Sequence, residues 1–251
     1  MNSDSGVRLE CDGPVATVTL CRPDVLNAQT PDMWRALRNF AGELTGDVRV
    51  VVVRGEGRAF SAGLDRAVLG GGDFTDLAAL PDDRAADRIL GFQEAFTWLR
   101  RPDLITIAAV QGYAIGAGFQ LALGCDLRIL ADDAKLAMAE VTLGLVPDLG
   151  GTKRLVELIG YARALELCVT GRRVAADEAA TMGLANLVVP AADLPSATAD
   201  LVAAVLSGNR DAVIEIKALL ATAADRTYPD ADRAEREAQV RRAKTLFGTG
   251  D

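Results

Sequence analysis

Three short runs of β-branched and apolar residues set the limits on how this chain can fold. Val15 to Leu20 alternates and is rich in Val and Thr, the pattern of a strand. Val48 to Val53 is mostly valine and stops at Arg54-Gly55, and Leu104 to Val110 is equally apolar. Both read as buried strands, because they are too short for helices and lack a polar face. Between the first two runs, Thr30-Pro31-Asp32 has the form of a helix start, with Thr30 as N-cap and Pro31 in the first helical position. Met33, Leu37, Phe40, Ala41 and Leu44 follow at helical spacing. Strand, helix, strand is the unit of a right-handed crossover, so an α/β core is expected.

The rest of the chain extends this pattern. A helix is expected from about Ile89 to Arg100, and another over Phe119 to Gly124. Asp126 to Leu130, Lys135 to Met138 and Leu184 to Val189 read as further short strands, the last closed by Pro190. Gly70-Gly71-Gly72-Asp73 is a break, and the polar stretch through Arg88 reads as a mobile loop or a short helix. From about Ala192 onward the pattern is helical only. Residues 1–190 are therefore a mixed α/β core and residues 191–251 a helical region.

Composition removes several kinds of chemistry. The chain has no histidine, which excludes His-based triads and His metal sites. Its four cysteines, Cys11, Cys21, Cys125 and Cys168, show no CxxC spacing, so they read as reduced thiols and no metal site is expected. A net charge of -8 argues against non-specific nucleic-acid binding, which needs cations to neutralise phosphates. Met1 to Arg8 is polar without an apolar signal segment, and no apolar run approaches the roughly 20 residues that span a bilayer. A cytoplasmic protein with no membrane or nucleic-acid partner is expected.

Two segments share one design, a strand end, a turn of small residues and then a helix. They are Ala59-Phe60-Ser61-Ala62-Gly63-Leu64-Asp65 and Gly112 to Gly118. Small residues admit a close neighbour, and the N–H groups that open a helix lack intrahelical partners. Such turns either serve tight packing alone or, side by side, direct two N–H groups at one developing oxyanion. Gly116-Ala117-Gly118 also looks like half a dinucleotide fingerprint, but the third glycine position is Leu121.

These residues resemble the enoyl-CoA hydratase/isomerase (crotonase) superfamily. Arg22-Pro23-Asp24-Val25-Leu26-Asn27-Ala28 is similar to its RPxxLNA segment, and Ala59 to Asp65 to its AFxAGxD signature. Ile107 to Gly118 resembles IAAVxGxAxGGG, and Ala139-Glu140-Val141 through Gly150-Gly151-Thr152 resembles PExxLGxxPxxGGT. Gly183 to Pro190 resembles GLVNxVVP, so the likeness spans about Val7 to Phe247. It implies a spiral of ββα units with a helical C-terminal region, assembled as a homotrimer or a dimer of trimers. It implies an acyl-CoA thioester as substrate and no separate cofactor, because coenzyme A is part of that substrate.

The resemblance places the oxyanion N–H groups at Leu64 and Ala117, where many relatives have Gly at the second position. It places the CoA portion near Val25, Leu26, Ala62 and Asp65, with Gly63, Gly116 and Gln120 also facing substrate. Relatives that hydrate enoyl-CoA commonly use two glutamates. The second matches Glu140, but the first is Gln120, whose amide can hold a water and cannot act as an ordinary general acid or base. A double-bond shift needs only one carboxylate, so isomerisation is slightly favoured over hydration of a 2-enoyl-CoA. Glu140 and Asp148 are the candidate acids. Asp148 also reads as a turn residue before Gly150-Gly151, and Glu140 as a solvated charge after a strand. A non-catalytic acyl-CoA-binding protein is the alternative of another class.

Overall fold

A computed structural model describes residues 5–71 and 73–248. Met1 to Asp4, Gly72 of the expected glycine break and Thr249 to Asp251 lie outside the described residues. The chain opens with β1 (Val7–Asp12) and β2 (Val15–Leu20), then α1 (Pro31–Glu43) and β3 (Val50–Gly55). Two helices follow, α2 (Asp73–Ala79) and α3 (Asp82–Thr97), then β4 (Ile105–Val110), β5 (Tyr113–Ile115), α4 (Ala117–Gly124), β6 (Leu127–Ala131) and β7 (Lys135–Ala137). Next come α5 (Gly151–Ile159), α6 (Tyr161–Thr170), β8 (Val174–Ala175), α7 (Ala176–Met182) and β9 (Leu187–Val189). The chain closes with α8 (Leu194–Ser207), α9 (Arg210–Ala221) and α10 (Tyr228–Phe247). No helix among the described residues is long and apolar enough to cross a membrane.

Six strands form one sheet in the order β1-β2-β3-β4-β6-β9, antiparallel at β1-β2 and parallel elsewhere. A second sheet, β5-β7-β8, stands beside it. The valine run of β3 follows from burial on both faces. Val51 and Val53 enter the main core with Trp34, Leu37, Phe96 and Leu121, while Val50 and Val52 pack in a second layer with Leu201, Val202 and Val205 of α8. A strand covered on both sides has no polar face to alternate with. Helix α1 starts as its residues require: Thr30 Oγ1 accepts from the Met33 N–H at 3.3 Å, and Pro31 occupies the first turn.

Several boundaries differ from the sequence reading. The stretch through Arg88, read as a mobile loop or a short helix, holds α2 and the start of α3, and α3 begins at Asp82, seven residues before Ile89. Its first turn carries Asp82 and Asp83, which favour a helix N-terminus but leave no apolar stripe to read. The strand expected over Leu184 to Val189 is confined to Leu187–Val189. β1, β5 and β8 were not expected. β8 is a two-residue pairing with β7, too short to show a pattern, whereas β1 alternates apolar and polar residues and turns at Gly13-Pro14 into β2, a hairpin signal that is local.

Asn27 joins the RPDVLNA loop to the core. It is fully buried in the left-handed region (φ 55), a conformation Asn tolerates better than most residues. Its Oδ1 accepts from the Arg22 N–H at 2.9 Å, and its Nδ2 donates to the carbonyls of Glu56 (2.9 Å) and Ala59 (2.8 Å). Asn27→Ala strands these backbone groups and should cost about 2–4 kcal/mol of unfolding free energy, measurable in urea titrations.

Candidate active site

The first glycine turn is clamped on both sides. The Phe60 and Ser61 N–H groups donate to the carbonyls of Gln111 and Tyr113 (both 2.8 Å), and the Ile115 N–H returns to Ser61 O at 3.0 Å. On the other side, Gln29 N–H donates to Gly63 O (2.6 Å) and Asp65 N–H donates to Gln29 O (2.8 Å). These two bonds flank Leu64 and leave its own N–H turned away from Gln29. Ala117 is the first residue of α4, where an N–H has no intrahelical acceptor. Among the described residues, neither the Leu64 nor the Ala117 N–H donates to a protein acceptor.

Glycine is what lets the two turns touch. A Cβ on Gly63 (φ +89) would lie 2.5 Å from Ile115 O and 3.7 Å from the Ala117 nitrogen. One on Gly118 would meet Ser61 O at 2.6 Å. Ala117 has the negative φ of a helical residue, so alanine fits there without strain.

Glu140 comes to the same place from the end of β7. The Gly116 N–H donates to Ala137 O at 2.8 Å, and Glu140 opens the short 3-10 helix that follows. Its Oε1 lies 3.3 Å from where a Cβ on Gly116 would sit, one residue from the Ala117 N–H. The side chain is not solvated: Glu140 is 9% exposed, Oε1 accepts from Gln120 Nε2 at 2.7 Å, and Oε2 is buried without a partner among the described residues. Burial raises its pKa above the usual carboxylate range and the nearby Asp148 charge adds to this, while the Gln120 hydrogen bond pulls the other way. Asp148 is half-buried, and burial raises its pKa too. Gln93 of α3 holds the turn by donating to Asp148 O at 2.7 Å.

A raised carboxyl pKa has a definite sign for stability. The protonated Glu140 favours the fold below the ordinary glutamate pKa of about 4.3, and this advantage is lost as pH rises through the higher native value. Glu140→Gln mimics the protonated form at every pH. Its Tm should exceed the wild type's at pH 7, by about 2–4 °C for each kcal/mol relieved, and the gap should close below about pH 4.

The remaining expected residues divide into two groups. Leu26 (φ 54) and Ala62 meet directly, the Ala62 N–H donating to Leu26 O at 2.8 Å, and Gly63 and Gly116 lie at the junction of the turns. Val25 stands 46% exposed on the adjoining loop. The carboxylate of Asp65 is committed within the protein, with Oδ1 accepting from Ala67 N–H (3.1 Å) and Oδ2 paired with Arg22 (2.9 Å). These contacts hold its pKa below the usual range, the Ala67 hydrogen bond foremost. Gln120 is buried, with its amide bonded to Glu140 and to the Leu149 and Gly151 N–H groups.

Sequence reasoning missed a buried polar chain behind the first turn. Trp34 Nε1 donates to Gln29 Oε1 (2.8 Å), Gln29 Nε2 to Ser61 Oγ (3.1 Å), and Ser61 Oγ to Asn27 O (2.8 Å). These residues come from the helix, the strap and both motif loops, and no local signal marks them as partners. A cavity of about 480 Å³ lies elsewhere, lined by Arg100, Asp126, Arg154, Lys217 and Leu220 among others. It does not reach Glu140 or the glycine turns, and its Lys217 is already paired with Asp126 at 2.8 Å.

The geometry agrees with what this chain is similar to. The profile of the Enoyl-CoA hydratase/isomerase family matches residues 10–246. The short-chain-enoyl-CoA hydratase of Clostridium acetobutylicum is 34% identical over 83% of this chain and 78% of its own. The carnitinyl-CoA dehydratase of Salmonella arizonae is 33% identical over 98% of this chain and 91% of its own. Among solved structures, a Thermobifida fusca protein put forward as an enoyl-CoA hydratase, in complex with acetoacetyl-CoA, superposes with a TM-score of 0.92 at 46% identity, covering 96% of each chain. The chain belongs to the enoyl-CoA hydratase/isomerase (crotonase) family and has its α/β fold, with two mixed sheets and C-terminal helices.

Proposed function

We propose that this enzyme shifts the double bond of an enoyl-CoA thioester through an enolate held by the Leu64 and Ala117 N–H groups. The observation that carries this reading is Glu140, whose buried Oε2 has no partner among the described residues and lies beside the opening of α4. Oε2 takes a proton from C2 of a 3-enoyl thioester, and the electron pair delocalises onto the carbonyl oxygen. The two N–H groups stabilise that charge in a dry site. The same carboxyl returns the proton at C4, leaving the double bond between C2 and C3. The raised pKa suits both halves of this transfer. Asp148, in the adjacent turn, is the second candidate for handling a proton.

The CoA portion is placed near Val25, Leu26 and Ala62, and a CoA thioester as ligand is supported by the Thermobifida fusca protein solved in complex with acetoacetyl-CoA. With its carboxylate engaged by Arg22, Asp65 contributes there through the shape of the loop. Residues 191–251 are proposed to mediate a homotrimer or a dimer of trimers. Their exposed apolar side chains, among them Ile216, Leu220 and Phe247, support contact with further subunits.

Hydration of 2-enoyl-CoA is the second reading, favoured by relatives such as the short-chain-enoyl-CoA hydratase. Turnover of 3-enoyl-CoA and 2-enoyl-CoA thioesters by the purified protein separates the two. Isomerisation of the first faster than hydration of the second is expected; the reverse ranking selects hydration. Tight acyl-CoA binding with no turnover of either would make this a binding protein instead.

A further inference from the structure

The side chain of Gln120 is 1% exposed and its amide is bonded at both ends. Oε1 accepts from the Leu149 N–H (2.9 Å) and the Gly151 N–H (3.3 Å), and Nε2 donates to Glu140 Oε1 (2.7 Å). Turning the amide over would aim NH2 at two N–H donors and an oxygen at a carboxylate, so these contacts leave one orientation. The packing is built around it, since a Cβ on Gly151 would lie 2.8 Å from Gln120 Cγ.

We propose that Gln120 is a positioning residue, which pins Glu140 through Oε1, ties it to the 149–151 turn, and so makes Oε2 the oxygen that carries the proton. This deepens the function proposed above and rests on it. An amide does this at every pH, because it does not titrate. A glutamate in its place would face Glu140 at hydrogen-bond distance and could do so only while the pair held a proton. The other titratable groups around Glu140 are Asp148 and the Cys168 thiol of α6, whose own pKa is raised by burial and then by the Glu140 charge. Among the described residues, neither donates a hydrogen bond to Oε1, so the orientation falls to Gln120.

The test is isomerisation of but-3-enoyl-CoA in D2O, read as the conjugated thioester formed and the deuterium it carries, across pH for wild type, Glu140→Gln, Gln120→Ala and Gln120→Glu. Gln120→Ala should lower kcat by about 10–100-fold with KM within about twofold, as expected when a reacting group is misplaced rather than removed. Gln120→Glu keeps an oxygen for the Leu149 and Gly151 amides. It should isomerise the substrate at acid pH and lose activity as pH rises, a limb absent from the wild type. The proposal is overturned if Gln120→Ala keeps wild-type kcat while Glu140→Gln is inactive, or if the Gln120→Glu profile superposes on the wild type's. Should Gln120→Ala fail to melt cooperatively, the Gln120→Glu profile decides alone. Absence of both isomerisation and uptake with the wild-type protein would sink the enolate reading itself, and this inference with it.

Discussion

Glu140→Gln should abolish most turnover, lowering kcat by about 10²–10⁴-fold, the usual contribution of a positioned acid–base group. The substitution changes little else. The amide oxygen can keep the hydrogen bond from Gln120 Nε2, and the buried volume is the same. What disappears is the basic oxygen, Oε2, which is buried next to the Gly116 turn without a partner among the described residues. Steady-state assays on 3-enoyl-CoA should show the loss in kcat with KM nearly constant. Turnover within a few-fold of wild type would remove Glu140 from the reaction. The same variant is expected to melt higher at neutral pH, because a buried carboxylate no longer has to be kept ionised. Gain in stability with loss of activity is the signature of a group kept for chemistry.

Ala117→Pro should cost about 10²–10³ in kcat, the effect of losing one oxyanion donor. The local backbone makes this a clean deletion. Position 117 is the first of α4, where proline is well accepted. Gly116 before it has φ 51 and ψ -118, the mirror image of the extended region that a residue preceding proline prefers, and one that glycine can enter. Ala117→Gly keeps the N–H and should stay within a few-fold of wild type. Equal activity of Ala117→Pro and wild type would mean that this N–H does not hold the thioester oxygen. Circular dichroism of both variants would separate a lost donor from a lost fold.

The elements that could be read from the chain are those set by local chemistry. Thr30-Pro31 marks the start of α1 because an N-cap hydroxyl and a fixed φ act within four residues. The valine run of β3 and the apolar run of β4 identify buried strands because a parallel strand needs apolar residues on both faces. The glycine turns were equally visible, since Gly63 and Gly116 occupy positive φ that few other residues accept. β8 was not visible, because two residues carry no pattern and its partner β7 lies far back in the chain, whereas the alternation of β1 and the Asp12-Gly13 turn to its neighbour β2 are local signals that the sequence does carry. The helical stretch around Asp82 was obscured by polar side chains on a helix that lies largely exposed at that end.

The candidate site divides the same way. Residue types alone determined that His chemistry is absent, that two glycine-rich turns precede helices, and that position 120 carries an amide. Only the tertiary structure decided that Asp65 is spent on Arg22, that Gln120 faces Glu140, and that one oxygen of Glu140 is left over. The physical reason is the range of the interactions. A cap or a turn is settled among neighbouring residues, whereas burial and hydrogen-bond partners depend on segments 20 to 43 positions apart that meet only when the sheets close.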